Sequence, residues 1–412
     1  MKKIVIVGGG ITGCVSAIYC AELGYHVEIY EKKRNLGGVI SDIEQKKDFF
    51  FNGPQYYDEK SWWLKDLRNE KNFKNLFYDF KLKYGSYNDL FNKSIFSKNF
   101  AQIQTDIKFS HINKKKNKFY KDRISCYQPN IFNPIKKWST RYCKSYEILH
   151  SNCSSYMNTG RVFFTNDKSK IKVLKKKDAF ADDLLGIPNE SFKSQKFCLP
   201  ILGNKFFFKK LENYLRSKKI KINLGSIIKL NQNNSKIELT CKNKKIKSDL
   251  SIWCANPVPL IRACGFGILD NPTVNVLVLS MNIDLNEDLN NNLYLQVFSK
   301  ENNLFRIFIY KIKNQTKLSL ELIFHKNIDT EKEINFAINI LKDFDIFIQK
   351  YSSIFKSKEI RHMMFSVEDL KKFKRFEKSQ ISNKIIPGAW EFVGRENKIS
   401  HIINDINRYI KN

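Results

Sequence analysis

Three glycines and one carboxylate near the start of the chain carry the clearest chemistry. Gly8, Gly10 and Gly13 form a Gly-x-Gly-x-x-Gly run directly after the apolar stretch Ile4-Val-Ile-Val7, and Glu31 follows Gly13 by 18 residues at the end of His26-Val-Glu-Ile-Tyr30. Residues of these types in this order bind a dinucleotide. Gly8 permits a tight strand-to-helix turn, Gly10 lets backbone approach a pyrophosphate, and Gly13 lets the helix lie close on the sheet. Ile11 and Thr12, the first helical residues, then present unpaired N–H groups and the positive end of the helix dipole to the phosphates. Glu31 is placed to accept hydrogen bonds from a ribose diol, which suits an adenosine without a 2′-phosphate, and Lys32 adjoins it.

These residues require a particular scaffold. Ile4–Val7 is short, β-branched and continuously apolar, as a central parallel strand covered on both faces must be. A small-residue helix and a second strand, His26–Tyr30, complete a βαβ unit. Glycines alone also serve ordinary turns and close helix packing. The order strand, glycines, helix, strand, carboxylate is what selects the ligand reading.

Two further stretches follow: Asn35-Leu-Gly37-Gly38-Val-Ile-Ser-Asp42, and Phe49-Phe-Phe-Asn-Gly53-Pro54-Gln55-Tyr-Tyr-Asp58. Joined to the first motif, they resemble the flavin-contacting stretch of the FAD-dependent amine oxidases, protoporphyrinogen oxidases and UDP-galactopyranose mutases. The resemblance implies that Gly37, Gly38, Gly53, Pro54 and Gln55 run beside FAD, where glycine lets backbone N–H groups approach a flat ring and a diphosphate. At the other end, Lys384-Ile-Ile-Pro-Gly-Ala-Trp-Glu-Phe-Val-Gly394-Arg395 and the helical repeat of Ile399, Ile402, Ile403, Ile406, Tyr409 and Ile410 resemble the family's closing strand, glycine turn and final helix. In the family that helix N-terminus faces the flavin, where its dipole stabilises negative charge on a reduced ring. Gly394-Arg395 is most similar to the mutases.

Three middle stretches resemble the same plan. Phe197-Cys-Leu-Pro200-Ile-Leu-Gly203 onward opens a helix, and Ile220–Leu230 reads as a strand leading into a β-ribbon. Ser248–Pro257 reads as an apolar strand ending in Ala255-Asn256-Pro257. The resemblance implies a backbone contact to adenine near Ile227 and places Ala255 beside the cofactor. The expected fold is α/β: a Rossmann-like FAD-binding domain from 1–60, 196–265 and 381–412, with an inserted α+β substrate domain from 61–195 and 266–380. Strand-like runs at Val274–Met281, Leu293–Phe298, Leu304–Tyr310 and Lys317–Phe324 predict an antiparallel sheet, followed by helix around Glu331–Lys350. The first insert gives no clean period.

The net charge of +31 and pI near 9.6 raise nucleic acid or an anionic membrane as partners. Lysine is spread along the chain with Asn, Ile, Phe and Tyr, as low-GC codon usage also gives, and no nucleic-acid motif is found. Lys114–Lys118 and Lys175–Lys177 read as solvated faces, so no nucleic acid is expected. A positive cleft would favour an anionic small-molecule substrate, such as a nucleotide-linked or lipid-linked sugar. Nine cysteines, an odd number without Cys-x-x-Cys, indicate reduced thiols and a cytoplasmic protein. No segment is long and apolar enough to span a bilayer, which leaves peripheral membrane contact open.

Catalytic side chains are less legible. No Ser-His-Asp order, metal-ligand spacing or Walker loop is present, so no metal is expected. In the resembling family the flavin carries the chemistry. Arg306 and Tyr310, on a predicted strand, are candidates for a diphosphate anchor and an aromatic wall, against a solvent-facing Arg and a packed Tyr. The leading expectation is an FAD-dependent oxidoreductase transferring hydride from an organic substrate to flavin N5, in surface-glycan or lipid-linked sugar metabolism. A mutase-like nucleotide-sugar isomerase and a non-catalytic FAD-binding protein are the alternatives. Against the mutase pattern, Gln55 replaces a histidine, and Glu396, Asn397 and Ile399 stand where tyrosines are expected.

Overall fold

The computed structural model describes residues 2–411 except 46–47, 91–94, 98–100, 103–117, 126, 128, 144–145, 158–161, 164–172, 174–175, 177–195, 234–235, 268–272, 325–326 and 393. The lysine runs 114–118 and 175–177 lie largely outside the described residues.

Five parallel strands form the first sheet, in the order Lys221–Asn223, His26–Tyr30, Lys3–Val7, Leu250–Trp253, Ile385–Pro387. Alternation explains the continuous apolar runs. Ile4 and Ile6 point to one face, packing with the helices Ile11–Glu22, Gly203–Ser217 and Arg395–Lys411. Val5 and Val7 point to the other, into a cluster with Trp253, Phe373 and Phe376, the last two from the helix Val367–Asn383. A three-stranded ribbon, Ile228–Asn233, Lys236–Cys241 and Lys244–Lys245, also covers that second face. Ile399, Ile402 and Ile406 are buried as their spacing predicts.

The second sheet has ten strands and is mostly antiparallel. Thr273–Leu285, Gln315–Ile323, Leu304–Ile312 and Asn292–Phe298 are consecutive neighbours, close to the expected runs. Asn292–Phe298 then pairs in parallel with Phe77–Asn88, so the sheet is mixed and draws a 12-residue strand from the segment that gave no period. The reason is burial. The first half of Phe77–Asn88 alternates, whereas its last residues are buried on both faces and so lose the two-residue repeat.

Two other expectations are corrected. Lys196–Pro200 is a strand of this second sheet, and the helix begins only at Gly203. The helix expected through Lys350 runs from Thr330 to Lys342, capped by the Asp329 side chain. It ends because Asp345 takes φ +60° and the Ile346 N–H returns to Leu341 O at 3.0 Å. Ile348–Tyr351 is then free to pair at the sheet edge.

A hairpin, Asp42–Gln45 with Asp48–Phe51, joins the two sheets. On one side Asp42 accepts the Lys205 N–H at 2.8 Å and Asn204 Nδ2 at 3.1 Å, capping the helix Gly203–Ser217 from outside its own chain segment. On the other, Lys317 donates to Asp48 and to Phe49 O, Ser319 Oγ donates to Phe51 O at 3.2 Å, and the Phe51 N–H donates to Tyr310 Oη at 3.0 Å. Tyr310→Phe would leave the buried Phe51 amide without that acceptor. The expected loss is about 1–3 kcal/mol, read as a lower urea midpoint with an unchanged m-value.

Candidate functional site

The glycine turn separates into positions the fold needs and one it leaves open. A Cβ at Gly13 would lie 2.0 Å from Gly8 O, and one at Gly8, which sits at φ +108°, would lie 2.9 Å from Ala255 N. Gly13 lets the first helix press against its strand, and Gly8 lets the end of that strand pass close to Cys254-Ala255. At Gly10 a Cβ would meet only Gly38 Cα, at 3.8 Å, an ordinary contact. Gly10 also N-caps the helix Ile11–Glu22 without a side-chain cap, and no acidic residue occupies the first turn. Its orphan amides are therefore suited to an external anion.

The second glycine pair closes on the first. Gly37 N–H donates to Gly9 O at 2.9 Å, and a Cβ on Gly38 would lie 3.1 Å from Gly10 Cα. Glu31 is buried at the end of its strand, where Oε2 accepts the Gly9 N–H at 2.6 Å and Oε1 accepts the Lys33 N–H at 2.8 Å. A carboxylate has about four lone-pair sites, so both oxygens can still accept ribose hydroxyls. Ser226 N–H donates to Glu31 O and Gly225 N–H to Lys33 O, each at 2.8 Å, which brings Ile227 to this end. Ile227 and Val39 are each 67% exposed, and a nucleotide lying between Gly38 and Ser226 would cover them. Lys32 is exposed, while Lys33 Nζ donates to Gly38 O at 3.0 Å. These residues fit the adenosine diphosphate half of a dinucleotide.

The other half of the crevice lies at the carboxyl ends of the parallel strands, where open α/β sheets hold ligands. Cys254-Ala255 continues from the strand Leu250–Trp253, with Ala255 N beside Gly8. The closing strand is Ile385–Pro387, and Gly388–Phe392 turns after it. A Cβ at Gly388 would lie 2.5 Å from Trp390 Nε1 and 2.6 Å from Trp253 O, so this turn needs glycine. Gly394, at φ +89°, leads into the closing helix. The Arg395 guanidinium carbon sits 4.7 Å from the centre of the Tyr57 ring, and Glu396 accepts Ser61 Oγ at 2.7 Å and Trp63 Nε1 at 3.1 Å. Tyr57 follows closely on Gly53-Pro54-Gln55, where Gly53 takes φ +80° and Gln55 Nε2 donates to Asn52 O at 3.4 Å. The Gly53 turn and the closing helix are thus brought together through Tyr57.

Arg306 and Tyr310 do not join this group. Arg306 donates to the fully buried Glu321 at 3.0 Å and lies on the Phe305 ring. Its strand register, Arg306 opposite Glu321, makes it an intrasheet ion pair rather than a solvent-facing or anchoring cation. Tyr310 is fully buried under the hairpin, where its hydroxyl serves Phe51. Strand spacing showed neither partner. Two residues were missed: Trp390 and Lys398, whose Nζ lies 4.6 Å from the centre of the Trp390 ring. Their only signal was an aromatic in the turn and a lysine early in a helix.

The thiol at the crevice is unsuited to nucleophilic work. All eight described cysteines are free, and burial pushes Cys254, at the crevice, up to about 12. Behind the Gly388–Phe392 turn, burial pushes Glu377 up to about 8, with Glu391 and Asp405 adding to the shift and Lys374 opposing it. Because the folded value is raised, the folded protein loses stability as pH rises from about 4.5 through about 8. Glu377→Gln should therefore gain stability over the parent above pH 8 and none below pH 4.5, as melting curves across pH would show.

The glycines make a paired prediction. Gly10→Ala should keep the melting temperature of the parent while dinucleotide affinity falls by about tenfold or more, since the new methyl occupies the phosphate approach. Gly13→Ala should lower the melting temperature itself, because its methyl strikes Gly8 O. Calorimetry of both variants, with and without ligand, separates the two roles.

Part of the chain matches known proteins in sequence. Residues 6–75 match the family described as NAD(P)-binding Rossmann-like domain. The 4,4'-diaponeurosporene oxygenase of Staphylococcus haemolyticus (strain JCSC1435) is 40% identical over 53 residues, 13% of this chain and 11% of that protein. The NADH oxidase of Thermoanaerobacter brockii is 51% identical over 39 residues, 10% of this chain and 6% of that one. The chain therefore matches only about a tenth or less of these relatives' lengths. Over the whole chain the likeness is one of fold. A reduced UDP-galactopyranose mutase superposes with TM-score 0.67 at 13% identity, over 98% of this chain and 94% of that chain. A putrescine oxidase superposes with TM-score 0.61 at 11% identity over 99% of each. A protein from Exiguobacterium sp. 255-15, described as a protoporphyrinogen oxidase, gives 0.60 at 13% identity over 98% of each. No described helix is long and apolar enough to cross a membrane.

Proposed function

We propose that this chain, which has the fold shared by the amine oxidases, protoporphyrinogen oxidases and UDP-galactopyranose mutases, binds FAD and is an oxidoreductase of a small organic substrate. The observation that carries the reading is the meeting of Gly10 and Gly38, a Cβ-free cradle between an uncapped helix N-terminus and the Glu31 carboxylate. FAD, when bound, supplies a flavin N5 that takes hydride from the substrate. The chain supplies position. The amides of Ile11, Thr12 and Gly13 hold the pyrophosphate, Glu31 the ribose, and the segment at Ile227 the adenine. Gly53, Pro54, Gln55 and the start of the closing helix at Gly394-Arg395 border the ring. Tyr56 gives that turn a rigid floor, packed against Phe197 and Phe308 with ring centres 4.9 and 5.8 Å away.

The relatives matched over short stretches bear the names oxygenase and oxidase, which supports redox chemistry over isomerisation. The mutase reading has the fold in its favour, but Gln55 replaces its histidine and Arg306 is paired with Glu321. An anionic or sugar-linked substrate is supported by the net charge of +31, and a cytoplasmic setting by the free thiols.

The visible spectrum of freshly purified protein tests the cofactor. Two oxidised-flavin bands, with FAD released on denaturation, are expected. Protein that is colourless and does not take up added FAD would sink the reading. Bleaching by an organic donor without prior reduction supports the oxidoreductase. Turnover of UDP-galactopyranose only after chemical reduction would replace it with the mutase.

A further inference from the structure

Part-buried cations in this protein are generally engaged. Arg141 donates to the carbonyls of Ser299, Lys300 and Asn302; Arg306 is paired with Glu321; Lys317 with Asp48; and Arg68 with Asp79. The first turn of the closing helix is different. Arg395 and Lys398 lie on the Tyr57 and Trp390 rings, and among the described residues neither has a carboxylate within ion-pair distance. Glu396, between them in sequence, is held by Ser61 and Trp63. The helix dipole adds further positive potential at the same end. Trp390, beneath Lys398, has its indole N–H buried against Gly388 and its ring face under the ammonium. Positive charge therefore gathers at the carboxyl end of the parallel sheet, and among the described residues no carboxylate is paired with Arg395 or Lys398.

We propose that Lys398, assisted by Arg395, is the counter-charge for an anionic group bound at this end of the crevice, a group belonging either to the reduced flavin or to the substrate as a phosphate or carboxylate. The assignment rests on the cofactor reading above. Trp390 acts as the platform that fixes the ammonium, through cation–π attraction. Burial without a counter-ion pushes Lys398 down to about 8, so a bound anion should restore the charged form and take up a proton above that pH. Anion affinity should then weaken as pH rises from 7 to 9.

The test uses the full chain with Lys398→Met, which keeps most of the stem on Trp390, and Lys398→Arg, which restores charge. Two quantities are read on each FAD-loaded protein: the midpoint potential, and the affinity for inorganic pyrophosphate at pH 7 and pH 9 by calorimetry. If the anion is the reduced flavin, Lys398→Met lowers the preference for reduced over oxidised cofactor about tenfold, a potential drop of ~30 mV for a two-electron couple, with pyrophosphate binding unchanged. If the anion is on the substrate, the potential holds while pyrophosphate affinity falls about tenfold and loses its pH dependence. Lys398→Arg should recover whichever quantity changed. A Lys398→Met protein equal to the parent in both would overturn the proposal. Should the parent protein take up no FAD, the cofactor reading fails by itself, and the pyrophosphate titration still decides whether Lys398 holds an anion. Should Lys398→Met fail to fold, Lys398→Gln is read in its place, and a variant equal to the parent in both potential and pyrophosphate affinity overturns the proposal.

Discussion

The contact between Gly13 and the Gly8 carbonyl is the constraint from which the rest of the site follows. With a Cβ at Gly13 only 2.0 Å from that oxygen, helix and strand can approach this closely only because the side chain is a hydrogen atom. The approach directs the amides of the helix's first turn over the carboxyl end of the sheet. It also brings Gly9 to Glu31 and Gly10 to Gly38, so one steric allowance fixes the pyrophosphate seat, the ribose acceptor and the second glycine loop together.

The hairpin 42–51 carries that geometry to the second sheet. Its ends are secured by polar groups rather than by apolar area alone: Asp42 on the helix at Gly203, and Lys317, Ser319 and Tyr310 on the sheet. Polar pairs in a low-dielectric setting are strong when complete and costly when broken. They therefore specify one arrangement of the hairpin, and with it the position of the Gly53 turn that follows.

Charge is distributed by the same logic. A net +31 spread over the surface says little about function, since exposed lysines are well solvated. The informative cations are those removed from water. Lys317 and Arg306 lie in packed interiors with carboxylates beside them, and they serve the architecture. Arg395 and Lys398 lie on aromatic rings at a helix N-terminus, without such partners among the described residues.

Residue order alone determined the βαβ unit, because a buried parallel strand must be apolar on both faces and a pyrophosphate turn must lack Cβ atoms; both constraints are local and survive in Ile4–Gly13. It also located the four central strands of the second sheet and the inward face of the closing helix, whose periods are regular. Tertiary structure decided what depends on partners distant in sequence. Phe77–Asn88 hid as a strand because its last residues, inside the second sheet beside Asn292–Phe298, are covered on both faces and lose the two-residue repeat. Arg306 read as a candidate anchor until register set it against Glu321, and Tyr310 as a wall until Phe51 claimed its hydroxyl. Lys398 gave no signal because its significance lies in what surrounds it, an indole and no carboxylate, and surroundings of that kind are set only when distant segments pack together.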